Sequence, residues 1–329
     1  MKTYSIFGLE MDNLPLWDLH VHYGGAIPPQ TVWEILKEDG HNFATLDEVI
    51  DTMTYRNDNG TYTFEKFLRK FDILNMIRWT EGHIVKSTDA VIATLAKQGT
   101  EYAEIRFTIN KYADYLGMSN KEITIFMCRE MRAAAKKYGI MIAPILCVKY
   151  ESSRDGQLDI LQLIDDADVA DHVDGLDLVG DERFFDVKFY EPIFKQWYNA
   201  NKGLIAHVGE SQTADNVRDA IEKLHVRRIS HGIKVVENED VVRIAKDNNV
   251  AFDVALTSNL KTGVVASLDN HPVKRMLELG CQVSLGTDDP AILDTTLDLE
   301  YDIAKNIGIS DNDIIAMKQT AMRRSLFQF

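Results

Sequence analysis

Cysteine and long apolar runs are both scarce in this chain. The three cysteines, Cys128, Cys147 and Cys281, lie far apart and form no CxxC pair. A disulfide framework is therefore not expected, and a reducing, cytoplasmic setting is favoured. The longest apolar stretch, 139–148, is too short to span a bilayer. The opening MKTYSIFGLEMDN carries a charge within its short apolar run and shows no cleavage pattern, so we expect a cytoplasmic protein with no membrane partner.

Positive charge is also in short supply. Lys and Arg number 36 against 51 for Asp and Glu, which gives a formal charge of −15. Binding to a polyanion depends on clustered basic residues, so nucleic-acid polymers and anionic membrane surfaces are not expected as partners. The 329 residues are 45% hydrophobic, enough for a large core, and barrel-type α/β proteins of this length often form one domain. We predict a single domain over 1–329.

What the sequence does contain is a regular alternation of short β-rich runs with longer helical segments. Segments such as 121–139 and 214–225 place apolar residues three and four apart, as covering helices do. The candidate strands are 17–22, 102–108, 140–148, 175–180, 203–209, 227–233, 250–257 and 281–288. This alternation predicts an α/β fold, the (β/α)8 TIM barrel.

The first interval departs from the pattern, because residues 23–101 separate strand 1 from strand 2. We predict a helical insertion at 39–83. It contains a turn-prone piece, 54–63, followed by FEKFLRKFDIL, which places Phe64, Phe67, Leu68 and Phe71 on one helical face. Two interpretations stay open. The face either packs into the core or forms a lid over an active site, since barrel sites are built from βα loops.

Polar side chains collect where strands 1, 4, 5, 6 and 8 end, and barrel enzymes place their chemistry at these carboxyl ends. The residues are His20 and His22, Gly180 with Asp181 and Glu182, His207 and Glu210, His231, and Asp288 with Asp289. His20 and His22 are two apart on a strand, so both project to the same face and can bind one ion.

We predict a metal site, because an apolar barrel does not otherwise accommodate so many histidines and acids at low cost. Three imidazoles and one carboxylate suit a borderline divalent ion, most readily Zn²⁺, with one position open for water. The remaining histidines are assigned no function: His41, His83, His172, His225 and His271.

Five motifs carry a family resemblance. HVH at 20–22, HVGE at 207–210, SHGI at 230–233, TSN at 257–259 and SLGTDDP at 284–290 resemble, in order and spacing, the adenosine deaminase family of the amidohydrolase superfamily. The resemblance runs through nearly the whole chain. It implies a metal-dependent aminohydrolase in which activated hydroxide attacks C6 of an adenine-type purine nucleoside and ammonia leaves.

The resemblance also implies the role of each site residue. One divalent metal per chain, most readily Zn²⁺, is held by His20, His22, His207 and Asp288. Glu210 protonates the purine N1, His231 orients the water, and Asp288 accepts its proton. Asp289 binds N7, and the Gly180 amide binds N3. The expected partner is thus a small purine nucleoside or a related amine.

The opening motif departs from the family pattern. The second histidine is typically followed by Leu-Asp-Gly, whose Asp contacts the ribose 5′-hydroxyl, and here the positions read Tyr23, Gly24 and Gly25. Gly24 removes an acceptor and a negative charge, which admits a 5′-modified or phosphorylated adenosine, or free adenine, as the alternative substrate. Gly24 has a second interpretation as an ordinary tight-turn residue.

Two other functions are compatible with the pattern. A metal-dependent phosphoesterase uses the same kind of barrel-mouth cluster, commonly with two ions about 4 Å apart. A catalytically silent nucleoside-binding protein is the third candidate, since a fold does not fix a function. The complete set of ligands, acid and orienting residues favours an enzyme over a binding protein.

Overall fold

The computed structural model describes residues 14–41, 45–56 and 60–326. The opening segment at 1–13 and positions 57–59 of the turn-prone piece therefore lie outside the described residues. Within the described ranges, no helix is both long and apolar enough to cross a membrane.

Eight parallel strands form one sheet, and each strand pairs with the next along the chain. The strands are β1 (Leu16–His22), β2 (Thr100–Phe107), β3 (Met141–Lys149), β4 (Gly175–Val179), β5 (Gly203–Val208), β6 (Arg228–His231), β7 (Ala251–Val254) and β8 (Gln282–Leu285). The predicted (β/α)8 barrel is confirmed. Three predicted strands run two or three residues too far: β6 stops at His231, β7 at Val254 and β8 at Leu285, because the chain turns there into the residues of the site.

The barrel closes through the residues that follow β8. Asp288 forms a parallel bridge with Val21 of β1. Its amide donates to the carbonyl of His20 at 2.7 Å, and its carbonyl accepts from the amide of His22 at 2.7 Å. The hydrogen bonds that close the barrel therefore also fix the backbones of two histidines and one aspartate of the predicted site.

Helices cover the outside of the sheet, and their ends follow from local capping. Ser119 and Glu122 form a capping box at the start of the long helix that precedes β3, and Gly139 ends that helix at φ 72°. The helices are α1 (Tyr23–Ala26), α2 (Pro29–Glu38), α3 (Leu46–Met53), α4 (Phe64–Arg69), α5 (Glu81–Lys97), α6 (Asn110–Leu116), α7 (Asn120–Tyr138), α8 (Arg154–Leu161), α9 (Ala167–Ala170), α10 (Val187–Asn199), α11 (Ala214–Lys223), α12 (Glu239–Asp247), α13 (Leu256–Lys261), α14 (Val273–Glu278), α15 (Pro290–Leu293), α16 (Leu297–Asn306) and α17 (Asp311–Arg324).

The insertion after β1 is helical, as predicted. It contains α3, α4 and a 3₁₀ helix at Asp72–Met76. The Thr63 hydroxyl caps α4 by accepting from the amide of Lys66. The predicted helical face is interrupted, because α4 ends at Arg69 and the chain tightens into the 3₁₀ helix. Phe67 is buried, whereas Leu68 is 49% exposed.

The interior of the barrel is charged beneath the site. Arg106 donates to Asp177 at 2.6 Å, and Arg228 contacts both Asp253, at 2.8 Å, and Glu104. All five side chains are almost completely buried. Because paired charges satisfy one another in a low-dielectric interior, they fill the barrel without leaving isolated ions.

Candidate active site

Four donor atoms from the ends of β1 and β5 and from the segment after β8 lie close together at the barrel mouth. The Nε2 atoms of His20, His22 and His207 are 3.1–3.3 Å apart from one another. Oδ1 of Asp288 lies 3.3 Å from His20 Nε2 and 3.2 Å from His22 Nε2. A tetrahedral ion with bonds of about 2.0–2.1 Å places its ligand atoms roughly 3.3 Å apart. The spacing of these four donor atoms therefore fits the binding of a single divalent metal ion.

His231 lies beside this set and shares its aspartate. Ligand atoms of His20, His207, His231 and Asp288 all fall within 4.8 Å of one another, so a second four-residue set exists. His231 Nε2, however, is 3.7 Å from Asp288 Oδ2 and faces the oxygen that His20 and His22 do not contact. The shorter distances favour His22 as the fourth member, with His231 next to the set.

Burial keeps most of these imidazoles neutral, as metal ligation requires. It lowers the pKa of His22 to about 3 and that of His231 to about 4, and it holds the pKa of His20 well below its usual range. Burial raises the pKa of Asp288, but its electrostatic interaction and hydrogen bond with His20, together with its interactions with His22 and His231, outweigh burial and leave that pKa well below its usual range. The aspartate is thus an anion at neutral pH.

Asp177 and Asp253, two buried residues that were not predicted from the sequence to belong to the site, orient the histidines. Asp177 Oδ1 accepts from Nδ1 of His207 at 3.1 Å, and its other oxygen accepts from Arg106 at 2.6 Å. Nδ1 of His20 lies 3.4 Å from the carbonyl of Asp253. Such contacts turn the Nε2 atoms toward the ion. Their only signal in the sequence is a charged residue inside an otherwise apolar strand.

Glu210 follows β5 and is held by a network that includes Asn259. Burial, followed by the charge of Asp288, raises the pKa of Glu210 to about 8. Nδ2 of Asn259 donates to Glu210 Oε1 at 3.2 Å and to Nδ1 of His231 at 3.1 Å, while its Oδ1 lies 3.2 Å from Nε2 of His271. The bond to Nδ1 leaves the proton of a neutral His231 on Nε2, which faces Glu210 and Asp288.

No role was predicted from the sequence for Asn259, in the TSN motif, or for His271. The carboxylate of Glu182, in the short 3₁₀ helix that follows β4, also positions Glu210 through the backbone. It accepts from the amides of Gly209 at 2.5 Å, Glu210 at 3.2 Å, and Ser211 and Gln212 at 2.9 Å each. Glu182 therefore fixes the loop that carries Glu210.

Gly24 and Gly25, which follow Tyr23, differ in how much space surrounds them. A Cβ on Gly25 would lie 1.8 Å from Oδ1 of Asp289, so only glycine leaves room for that carboxyl. A Cβ on Gly24 would meet nothing nearer than Cδ1 of Leu74 at 4.0 Å. Gly24 lies in helix α1 and is not among the positive-φ residues. The tight-turn interpretation of Gly24 is therefore wrong, and neither backbone nor packing demands glycine there.

Two of the site residues adopt a backbone conformation that is rare outside glycine. His231 has φ 61° and Asp288 has φ 62°. Left-handed conformations of this kind cost free energy and persist where the surroundings over-determine them, often at active sites. For Asp288 the surroundings are the two barrel-closing hydrogen bonds with β1.

A cavity of about 390 Å³ opens above the donor set and falls in the size range of small-molecule sites. Asp289 is buried on its wall, and its Oδ1 atom has no hydrogen-bond partner among the described residues. Burial, then Asp288, holds the pKa of Asp289 well above its usual range. The other predicted site residues on the cavity wall are His22, Gly24, Phe64, Phe67, Leu68, Gly180, His207, Glu210, His231 and Asp288.

An eight-stranded parallel barrel that gathers such a donor set at its carboxyl end belongs to the class of metal-dependent barrel hydrolases. The family model described as Adenosine deaminase matches residues 15–329. The chain is 30% identical over 311 residues to the adenine deaminase of Sinorhizobium medicae, with 93% of this chain and 92% of that protein covered. The chain therefore belongs to the adenosine deaminase family and is a metal-dependent aminohydrolase.

Solved structures with low sequence identity share the fold. An amidohydrolase from Burkholderia ambifaria with bound Zn has a TM-score of 0.84 at 19% identity, with 100% of this chain and 90% of that chain covered. The N6-methyl-AMP deaminase from Arabidopsis thaliana has a TM-score of 0.79 at 19% identity, with 97% and 94% covered. These likenesses extend over the whole barrel.

Proposed function

We propose that the protein hydrolyses the 6-amino group of an adenine-type purine. Water attacks C6, ammonia leaves, and a 6-oxo product remains. The observation that carries this proposal is the placement of Glu210, a carboxyl with a raised pKa, in the same cavity as the donor set. A deaminase needs both an activated water and an acid beside the ring.

The proposed metal is one Zn²⁺ per chain, held by His20, His22, His207 and Asp288. The mixture of three imidazoles and one carboxylate, at the spacing described above, supports this choice of ion. When bound, the ion supplies Lewis-acid activation of water, whose pKa falls toward about 7.

Glu210 is the proposed acid, and its partner on the ring is N1. With a pKa of about 8, the carboxyl keeps its proton at neutral pH and can donate it as C6 is attacked. Asp288 is an anion and is the proposed acceptor of the proton from water. The Nε2–H of His231 faces the carboxyl groups of Glu210 and Asp288, and His231 is proposed to orient the attacking water.

Asp289 and Gly180 are proposed to fix the ring. A buried carboxyl oxygen with no partner in the described structure costs free energy unless a ligand supplies one, which supports Asp289 as the contact to N7. The Gly180 backbone lies on the same cavity wall and is proposed to donate to N3.

The insertion is proposed to act as a lid over the substrate. Phe64, Phe67 and Leu68 lie on the wall of the cavity, and Leu68 remains half exposed. Apolar side chains at the entrance would exclude water from the bound ring, which strengthens the electrostatic contacts inside. The single domain over 1–329 with its 39–83 lid is part of this proposal.

The proposed substrate is a purine nucleoside, and a 5′-modified or phosphorylated nucleoside is the second candidate. The open space at Gly24 and the missing carboxylate favour this second candidate. The similar proteins include enzymes named for adenine, for adenosine and for N6-methyl-AMP, so their names do not single out one substrate. We also propose a cytoplasmic location, which the three buried free cysteines support.

Ammonia release from adenine, adenosine and AMP, with the ultraviolet change of the purine followed in parallel, tests the function. We expect Glu210→Gln to keep one zinc per chain and to lose about 10²–10⁴-fold in kcat, the usual contribution of a general acid. His20→Ala should lose both the metal and the turnover. Full activity of Glu210→Gln would contradict the acid role.

Two further outcomes would replace the proposal. Phosphate release from model esters together with a second bound ion would indicate a phosphoesterase. Tight purine binding without ammonia release would indicate a binding protein. Metal analysis and calorimetry on the same preparation separate these outcomes.

A further inference from the structure

Two lysines lie on the wall of the catalytic cavity, at the ends of the second and third strands. Lys149 is the last residue of β3, and Lys111 lies in the first turn of α6, shortly after β2. Both line the cavity that contains the metal-site histidines. The proposed chemistry at C6 uses neither side chain, so their presence beside the substrate needs a separate explanation.

The partners of these lysines are not acids. Nζ of Lys111 donates to the carbonyl of Leu74 at 2.5 Å and to Oδ1 of Asn75 at 3.0 Å, both of which are neutral. Across the described ranges, neither lysine is joined to a carboxylate by an ion pair. By contrast, the surface residue Lys121 contacts two aspartates at 2.8 Å each.

The ammonium group of Lys149 also acts on that of Lys111. Partial burial, followed by the charge of Lys149, lowers the pKa of Lys111 to about 8. Glu151 lies on the same wall but accepts a hydrogen bond from the amide of Asp181 at 3.2 Å. Among the described residues, no side chain neutralises the charge of both lysines. A bound anion would neutralise both.

Gly24 lines the same cavity as the two lysines, and it lies near Leu74, which Lys111 also contacts. A Cβ at Gly24 would approach only Cδ1 of Leu74, at 4.0 Å, while the carbonyl of Leu74 accepts from Lys111. Residue 24 therefore offers open space and no negative charge in the cavity that the two lysines line. A carboxylate in that position would compete with an incoming anion for the two cations.

We propose that Lys111 and Lys149 form an anion subsite, which binds a phosphate monoester carried by the sugar of the purine substrate. The inference rests on the proposed deaminase function and narrows its substrate class to nucleotides. A free base or an unmodified nucleoside carries no group that would use the two cations. Phosphate suits them, because each ammonium offers charge-assisted hydrogen bonds to its oxygens.

The test compares AMP with adenosine in the zinc-loaded full chain and in the variants Lys149→Gln, Lys111→Gln and the double variant. We expect wild type to prefer AMP and each single variant to lower the ratio of kcat/KM for AMP to that for adenosine at least tenfold, as expected for loss of one charge-assisted bond. The exposed Lys136→Gln, on α7, is the matched control and should leave the ratio unchanged. Lys149 is exposed at the strand end, so its variant tests the proposal even if Lys111→Gln fails to fold.

Calorimetry with the product nucleotide, IMP, keeps this inference separate from the reaction. Loss of IMP binding in the lysine variants supports the subsite even if no purine yields ammonia, in which case only the deaminase function fails. Equal losses on AMP and adenosine, or a wild-type preference for adenosine or adenine, would overturn the subsite while the deaminase function stands. Inorganic phosphate that binds as tightly as IMP would also overturn it, because the site would then take the free ion.

Discussion

Gly25→Ala tests the packing of the site most directly. The added Cβ would lie 1.8 Å from Oδ1 of Asp289 and 2.4 Å from its Cβ and Cγ. Contacts under 3.0 Å essentially do not occur for real Cβ atoms, so the carboxyl oxygen must move by at least 1.2 Å. Rotation of the side chain alone does not relieve the contact, because the Asp289 Cβ is fixed to its backbone. The backbone beside Asp288 must therefore shift as well.

Two free-energy costs follow from this shift. Overpacking of a tight interior destabilises a protein by roughly 1–3 kcal/mol. Loss of the proposed hydrogen bond between the Asp289 carboxyl and the purine leaves a buried polar group unsatisfied, which costs about 1–3 kcal/mol. At about 1.4 kcal/mol per factor of ten, the second cost corresponds to a fall in kcat/KM of about 5- to 140-fold.

The assay is kcat/KM for ammonia release, with zinc content and thermal stability measured on the same samples. Gly24→Ala is the stability control, because its Cβ would have a single contact at 4.0 Å. Alanine in helix α1 should stabilise the fold slightly, by up to about 1 kcal/mol. If Gly25→Ala has the melting temperature and kcat/KM of wild type, the close approach of Asp289 to residue 25 is not a feature of the working enzyme.

Two further changes probe the residues that orient the site. Asn259→Leu removes the donor shared by Glu210 and His231. We expect kcat to fall at least tenfold while the zinc content stays at the wild-type level. Loss of zinc would mean instead that Asn259 supports the metal site. Asp177→Asn replaces the carboxylate that accepts from His207, and zinc affinity should fall about 10- to 100-fold in a chelator competition. An unchanged affinity would mean that the barrel backbone alone orients His207.

The barrel could be predicted because its signals are local. Each strand is a short apolar run, and each covering helix repeats its apolar residues three and four apart. The histidines and acids could be predicted as one site because parallel strands bring their carboxyl ends to one side of a barrel. The sequence therefore predicted both the fold and the residues that meet at the cavity.

The contacts of Arg106, Asp177 and Asn259 could not be predicted in the same way. Arg106 and Asp177 lie on different strands, and only the closed barrel brings them together beneath His207. Asn259 was placed after a strand predicted to reach 257, but α13 begins at Leu256. The early helix turns the Asn259 amide back toward Glu210 and His231, a position that a longer strand would not give it.

The two adjacent glycines show why a single motif can carry two separate constraints. Gly25 is fixed by sterics, because Asp289 occupies the space where a side chain would begin. Gly24 is free of that constraint, since its backbone is helical and its nearest neighbour is 4.0 Å away. A residue that neither packing nor backbone requires to be glycine is open to selection by the ligand. Changes at residue 24 should therefore alter substrate choice at little cost in stability, whereas changes at residue 25 should impair the site for every substrate.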